Sequence, residues 1–128
     1  MRSVKVGSIL VVEDDKSLSE AYSIILGSAG YETALAFDGV EALKLLEKDQ
    51  YELILLDLKM PHMDGVQFLK EYKKRYKDRQ TKLVVFSNYD LQNEVKQAYE
   101  LGIDKYFLKS WASPNDLLKI IEEVIEEK

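Results

Sequence analysis

The chain has 128 residues, a length that suffices to bury the core of one domain but not of two. Of these residues, 46% are hydrophobic and 32% are charged. Its formal net charge of −5 argues against nucleic acid as a direct partner, and the lack of cysteine excludes disulfides and thiolate metal sites. The N-terminal stretch 1–15 lacks the apolar region of a secretory signal, and no apolar run reaches the ~20 residues of a membrane helix. We therefore expect one domain over residues 1–128, in the cytoplasm and without membrane contact.

Two kinds of segment alternate along the chain. Short apolar segments, several of them without any polar alternation, predict strands that are buried on both faces. In chain order these segments are 8–12, 31–37, 51–57, 82–87 and 105–109. A longer segment with apolar residues at helical spacing follows each of them. Five strand–helix pairs in strict alternation predict a parallel sheet with helices on both faces.

Polar side chains stand where four of the predicted strands end. Glu13 and Asp14 follow the first strand, Asp57 ends the third, Ser87 ends the fourth and Lys109 ends the fifth. The carboxyl ends of parallel strands share one edge of a sheet, and ligands bind there in open α/β sheets. We therefore expect these side chains to converge at one site, although each of them alone is more simply explained as a helix cap or turn residue.

The chemistry of this group favours a phosphoryl group and a divalent cation. Two carboxylates about 4 Å apart repel by about 4 kcal/mol at an effective dielectric constant near 20, so the cluster needs positive charge. Lys109 supplies one charge, and a set of oxygen ligands without histidine or cysteine suits Mg²⁺. Asp57 could then act as a nucleophile, with Lys109 neutralising phosphoryl oxygens and Ser87 binding the product.

Four stretches carry a resemblance to a known family: "ILVVEDD" (9–15), "DLKMPHMDG" (57–65), "VVFS" (84–87) and "DKYFLK" (104–109). With these stretches the chain resembles the receiver domain of two-component response regulators, the family of the bacterial chemotaxis regulator. The resemblance covers nearly the whole chain. It implies a flavodoxin-like (βα)5 fold with five parallel strands in the order 2-1-3-4-5.

The resemblance also implies the roles of the acidic residues. Asp57 matches the aspartate that accepts the phosphoryl group. Glu13 and Asp14 match the acidic pair that holds Mg²⁺ together with Asp57, with Asp14 as the more direct ligand. Lys59 falls where the family uses a backbone carbonyl as a metal ligand.

A second group of residues matches the switch of the family. Ser87 matches the hydroxyl that contacts the phosphoryl group, Tyr106 the aromatic switch residue and Lys109 the lysine of the family pattern. We expect Tyr106 to rotate inward when Ser87 moves toward Asp57. The family usually has proline after the lysine, often with a cis bond, but this chain has Ser110, for which a cis bond would cost roughly 2.5–4 kcal/mol. The loop next to Trp111 is therefore expected to be trans, reshaped or more mobile.

The resemblance implies a phosphorylation switch and not an enzyme, although the receiver assists its own phosphoryl transfer and dephosphorylation. Its partners would be a histidine kinase or phosphotransfer protein and a downstream protein, and it would be a monomer or a weak dimer through the face of the fourth helix, fifth strand and fifth helix. We expect a stand-alone receiver, although the sequence does not separate this from a receiver that belongs to a longer protein.

Two alternatives remain at this stage. The first is a binding module that keeps the fold but works without phosphorylation, through the surface around Tyr106 and Trp111. The second is an aspartate-nucleophile phosphatase. Lys59 counts against the phosphatase, because such enzymes usually carry a second acid two residues after the nucleophile.

Overall fold

The computed structural model describes residues 4–88 and 92–127, in which five strands and five helices alternate. In chain order they are β1 Val4–Val12, α1 Lys16–Ser28, β2 Glu32–Ala36, α2 Gly39–Lys48, β3 Gln50–Asp57, α3 Gly65–Arg75, β4 Lys82–Ser87, α4 Gln92–Glu100, β5 Lys105–Leu108 and α5 Pro114–Glu126. All strand pairs are parallel and the order is β2-β1-β3-β4-β5. The predicted flavodoxin-like fold is confirmed.

The apolar strands separate two cores, one on each face of the sheet. Along β1, Leu10 and Val12 face the core under α2 and α3, whereas Ile9 and Val11 face the core under α1 and α5. All four side chains are fully buried, and burial of such a side chain stabilises the fold by about 1.5–3 kcal/mol. Burial on both faces explains why these strands lack polar alternation.

The first strand is longer than the sequence predicts. β1 begins at Val4, which pairs with Gln50 of β3, and its register then shifts before Ile9. Within the shift Gly7 adopts a φ of 75°, a conformation that side chains oppose, and its N–H donates to Glu52 Oε1 at 3.0 Å. The glycine and the polar residues around it interrupt the apolar pattern, so the sequence does not predict a strand there.

Side-chain caps start several of the helices. The Asp38 carboxylate accepts a hydrogen bond from the Glu41 N–H at 2.8 Å at the start of α2. Ser113 and Asp116 form a capping box at the start of α5, with Pro114 as its first residue. None of the helices in the described ranges is long and apolar enough to span a membrane.

Candidate functional site

The carboxyl ends of three strands bring two buried acids and a lysine together. Glu13 directly follows β1, Asp57 ends β3 and Lys109 directly follows β5. The Lys109 Nζ lies 2.6 Å from Glu13 Oε2 and 3.1 Å from Asp57 Oδ2. Glu13 is only 1% exposed and Asp57 only 3%, whereas the neighbouring Asp14 is exposed. Glu13, Asp57 and Lys109 therefore lie together at the strand ends, as the sequence predicts.

Burial controls the protonation of this cluster. Burial, together with the charge of Asp57, raises the pKa of Glu13 to about 7, although the hydrogen bond from Lys109 acts to lower it. Burial also raises the pKa of Asp57. Burial alone would lower the pKa of Lys109, but its hydrogen bond to Glu13 and the charges of both acids raise that pKa overall. The lysine therefore stays charged. When both buried carboxylates are ionised, its single positive charge neutralises only one of them.

Close backbone packing holds Asp57 in place. The Lys59 N–H donates to Asp57 Oδ1 at 3.0 Å, and the Gly65 N–H donates to the Leu58 carbonyl at 3.0 Å. A Cβ on Gly65 would lie 2.6 Å from Leu58 Cα and 2.8 Å from the Asp57 carbonyl oxygen. Only glycine fits there, so α3 can begin directly beside Asp57 without covering its carboxylate.

The donor set of the cluster fits a hard divalent cation. Glu13, Asp14 and Asp57 each offer a carboxylate oxygen, and these atoms lie within 4.8 Å of one another. Such an all-oxygen set with one exposed member suits Mg²⁺, which usually keeps several waters. These three acids and Lys59 are among the residues that line a pocket of about 250 Å³.

The predicted switch residues are in contact with each other. Ser87 is fully buried, and its Oγ lies 3.2 Å from the Tyr106 hydroxyl, within hydrogen-bond distance. Tyr106 is half-buried, on the strand next to Ser87. The tyrosine hydroxyl already reaches Ser87 in this structure, and the rotation of Tyr106 when Ser87 moves toward Asp57 stays a prediction. Any movement of Ser87 toward Asp57 has to break or replace this contact.

The loop after β5 keeps Lys109 in place without a proline. The Lys109–Ser110 bond is trans, as are all peptide bonds in the described ranges. The Lys109 N–H donates to the Ser87 carbonyl at 2.8 Å, and the Trp111 N–H donates to the Leu108 carbonyl at 3.1 Å. The Lys109 ammonium also lies 4.9 Å from the centre of the Phe86 ring. The bond before Ser110 is thus trans, one of the expected alternatives, and Lys109 still reaches both Glu13 and Asp57.

Asn88 and an apolar groove lie beside the acidic carboxylates and were not predicted from the sequence. The groove has a volume of about 310 Å³ and lies between α1 and the start of α5. Leu18, Asn88 and Lys109 line both the groove and the acidic pocket, so the two are continuous. Asn88 directly follows β4, and its position at a strand end was the signal that could have identified it.

Comparison with known proteins adds independent information. Residues 9–122 match the family model of the response regulator receiver domain. The chain is 31% identical over 101 residues to sporulation initiation phosphotransferase F of Bacillus subtilis, covering 79% of this chain and 80% of that protein. The chain spans about half, 49%, of the length of other curated relatives, which are transcriptional regulatory proteins.

Solved structures show the same similarity. A chemotaxis-regulator-like receiver domain protein from Methanospirillum hungatei JF-1 has a TM-score of 0.86 at 30% identity, covering 97% of this chain and 95% of that one. The receiver domain of the sensor histidine kinase PA1611 from Pseudomonas aeruginosa PAO1 has a TM-score of 0.83 at 26% identity, covering 94% and 98%. That structure has a magnesium ion coordinated in its active site cleft.

Proposed function

Because this chain belongs to the response regulator receiver domain family, whose members are phosphorylation-dependent switches of two-component signalling, we propose that Asp57 is its phosphoryl acceptor. The observation that carries the proposal is the position of the Asp57 carboxylate. Asp57 is only 3% exposed, its carboxylate accepts hydrogen bonds from Lys59 N–H and Lys109 Nζ, and it lines the acidic pocket. An acid held in this way can meet an incoming phosphorus atom without reorganising.

The phosphoryl donor is a phosphohistidine of a histidine kinase or of a phosphotransfer protein. A carboxylate oxygen of Asp57 attacks the phosphorus atom, an O–P bond forms and the N–P bond breaks, with its electron pair left on the imidazole nitrogen. Lys109 balances the negative charge that gathers on the phosphoryl oxygens. Since the chain supplies these groups itself, it assists its own phosphorylation and dephosphorylation, although receiver domains are signalling domains and not conventional enzymes.

Glu13, Asp14, Asp57 and the backbone carbonyl of Lys59 are the groups that would hold Mg²⁺. When bound, the ion supplies positive charge next to the phosphoryl oxygens, because one lysine cannot balance all of their negative charge. The support for this proposal is the carboxylate cluster, with its oxygens within 4.8 Å of one another. The exposed position of Asp14 leaves room for water to complete the coordination shell.

Ser87 and Tyr106 transmit the change to the surface of α4, β5 and α5. Phosphorylation of Asp57 adds roughly −1.5 to −2 charges and three strong acceptor oxygens. A Ser87 hydroxyl that turns toward those oxygens releases the Tyr106 hydroxyl, which lies 3.2 Å away. Trp111 is 65% exposed in the loop after β5 and marks the surface that a downstream protein, or a weakly bound second copy, would recognise.

The surroundings of the acidic pocket suit a protein donor. The apolar groove continues into the pocket, so a donor protein can place apolar side chains in the groove while its phosphohistidine reaches Asp57. A single receiver domain over residues 1–128 accounts for these features. A cytoplasmic location is part of the same proposal, because a chain without cysteine suits a reducing compartment.

Intact-mass measurement after incubation with acetyl phosphate and Mg²⁺ tests the proposal. The protein should gain one phosphoryl group, and an Asp57→Asn variant should gain none. An Asp49→Asn variant is a matched control, because Asp49 lies just before β3, at the opposite end of that strand. Undiminished labelling of the Asp57 variant rejects the assignment, and steady turnover of a small phosphate ester would instead favour the phosphatase alternative.

A further inference from the structure

Asn88 has a chemical property that no other described residue of the acidic pocket shares. The pocket is lined by charged side chains and by one leucine, apart from the carboxamide of Asn88. Asn88 is therefore the only neutral side-chain hydrogen-bond donor among these lining residues. The residue is exposed and follows the last residue of β4, so its side chain is available at the mouth of the pocket.

Ser87, the hydroxyl that the family pattern assigns to the phosphoryl group, is less available. It is fully buried, it is not among the residues that line the pocket, and its Oγ lies 3.2 Å from the Tyr106 hydroxyl. The Asn88 carboxamide makes no hydrogen bond within the part of the chain that the structure describes. Asn88 can therefore donate to a new acceptor without losing an existing bond, whereas the Ser87 hydroxyl already lies within hydrogen-bond distance of Tyr106.

A phosphoryl group on Asp57 would bring three acceptor oxygens into the pocket. Among the lining side chains, Lys59, Lys109 and Asn88 can donate hydrogen bonds, whereas ionised carboxylates only accept them. We propose that the side-chain amide of Asn88 donates a hydrogen bond to a phosphoryl oxygen and so holds the group on Asp57. This inference rests on the proposed function, since it requires Asp57 to be the acceptor.

In this proposal Asn88 helps to bind the phosphoryl group, whereas Ser87 and Tyr106 carry the conformational response to it. Asn88 holds the group from the mouth of the pocket, while Ser87 and Tyr106 respond inside the protein. An Asn88→Ala variant should bind the group more weakly and still show the Tyr106 response at saturation. A Ser87→Ala variant should lose the response even at saturation.

The experiment uses beryllofluoride with Mg²⁺ as a stable mimic of the phosphoryl group, added to ¹⁵N-labelled protein and followed by NMR. The side-chain amide signals of Asn88 are identified by their absence from the Asn88→Ala variant. We expect these signals to shift on binding, and the variant to bind beryllofluoride about tenfold more weakly, as for loss of a hydrogen bond to a charged group. Asn88→Asp should bind still more weakly, because it replaces the donor with a fourth carboxylate.

Asn115→Ala is the matched control, because Asn115 is exposed on α5 and does not line the acidic pocket. It should bind beryllofluoride like the original protein. If Asn88→Ala also binds with unchanged affinity, or if the Asn88 amide signals stay still while those around Asp57 move, the role of Asn88 is overturned and the proposed function stands. If the original protein binds no beryllofluoride and gains no phosphoryl group, both proposals fail.

Discussion

Replacing Gly65 by alanine should destabilise the protein and displace the carboxylate of Asp57, the proposed phosphoryl acceptor. The added Cβ would lie 2.6 Å from Leu58 Cα and 2.8 Å from the Asp57 carbonyl oxygen, far inside contact distance. Both are backbone atoms, so no side-chain rotation can relieve the overlap. Alanine gains up to about 1 kcal/mol in a helix over glycine, but that gain is smaller at the first residue of a helix. Overpacking costs about 1–3 kcal/mol, and we expect a net loss of about 2 kcal/mol in the free energy of unfolding.

Gly27→Ala is the matched control for this prediction. Gly27 lies within α1, and a Cβ there would meet no atom within 4 Å. The same substitution should therefore stabilise the protein by up to about 1 kcal/mol. The opposite signs of the two changes would separate steric overlap from helix propensity.

Urea unfolding at equilibrium measures both variants through the midpoint and the slope of the transition. The rate of phosphoryl gain from acetyl phosphate should also fall in Gly65→Ala, because Asp57 moves with its backbone, and should stay unchanged in Gly27→Ala. Equal stability of Gly65→Ala and the original protein would refute the argument from close backbone approach.

Three further predictions follow from the site. Excess chelator should abolish phosphoryl gain from acetyl phosphate, and an unchanged rate would show that the carboxylate cluster needs no cation. Phosphorylation should change the fluorescence of Trp111. The Ser87→Ala variant should lose that change, although intact mass still shows labelling of Asp57. A constant Trp111 signal in the fully labelled original protein would contradict the proposed switch. In metal-free buffer the free energy of unfolding should fall by about 3 kcal/mol as the pH rises from 4.5 to about 7, because folded Glu13 keeps a proton that the unfolded chain releases. Glu13→Gln should lose most of this fall in denaturant titrations across that range, and an equally steep fall in the variant would contradict the assignment to Glu13.

Much of the fold could be predicted from local patterns. Continuous apolar runs indicate strands that are buried on both faces, and their alternation with helical spacing requires parallel neighbours. The longer start of β1 was missed, because Gly7 and the register shift interrupt the apolar pattern there. The order of the strands came from the resemblance to the receiver family and not from the patterns.

Part of the candidate site could also be predicted from the sequence, and part could not. Glu13, Asp57 and Lys109 could be placed together from sequence, because the carboxyl ends of parallel strands share one edge whatever the details of packing. Their functional roles stay predictions until phosphorylation is measured. Asn88 also stands at a strand end but was overlooked, because its proposed role depends on the pocket residues that only the tertiary structure brings around it.

The sequence by itself thus determined which segments are strands and helices and which polar residues stand at the strand ends, since both depend on neighbours along the chain. Only the tertiary structure decided that Tyr106 already reaches Ser87, that Gly65 lies against the backbone of Asp57, and that burial raises the pKa of Glu13. Each of these depends on distances between atoms from separate elements, where a shift of one ångström makes or breaks a contact. Such distances are set by the packing of both cores together, and no local periodicity contains them.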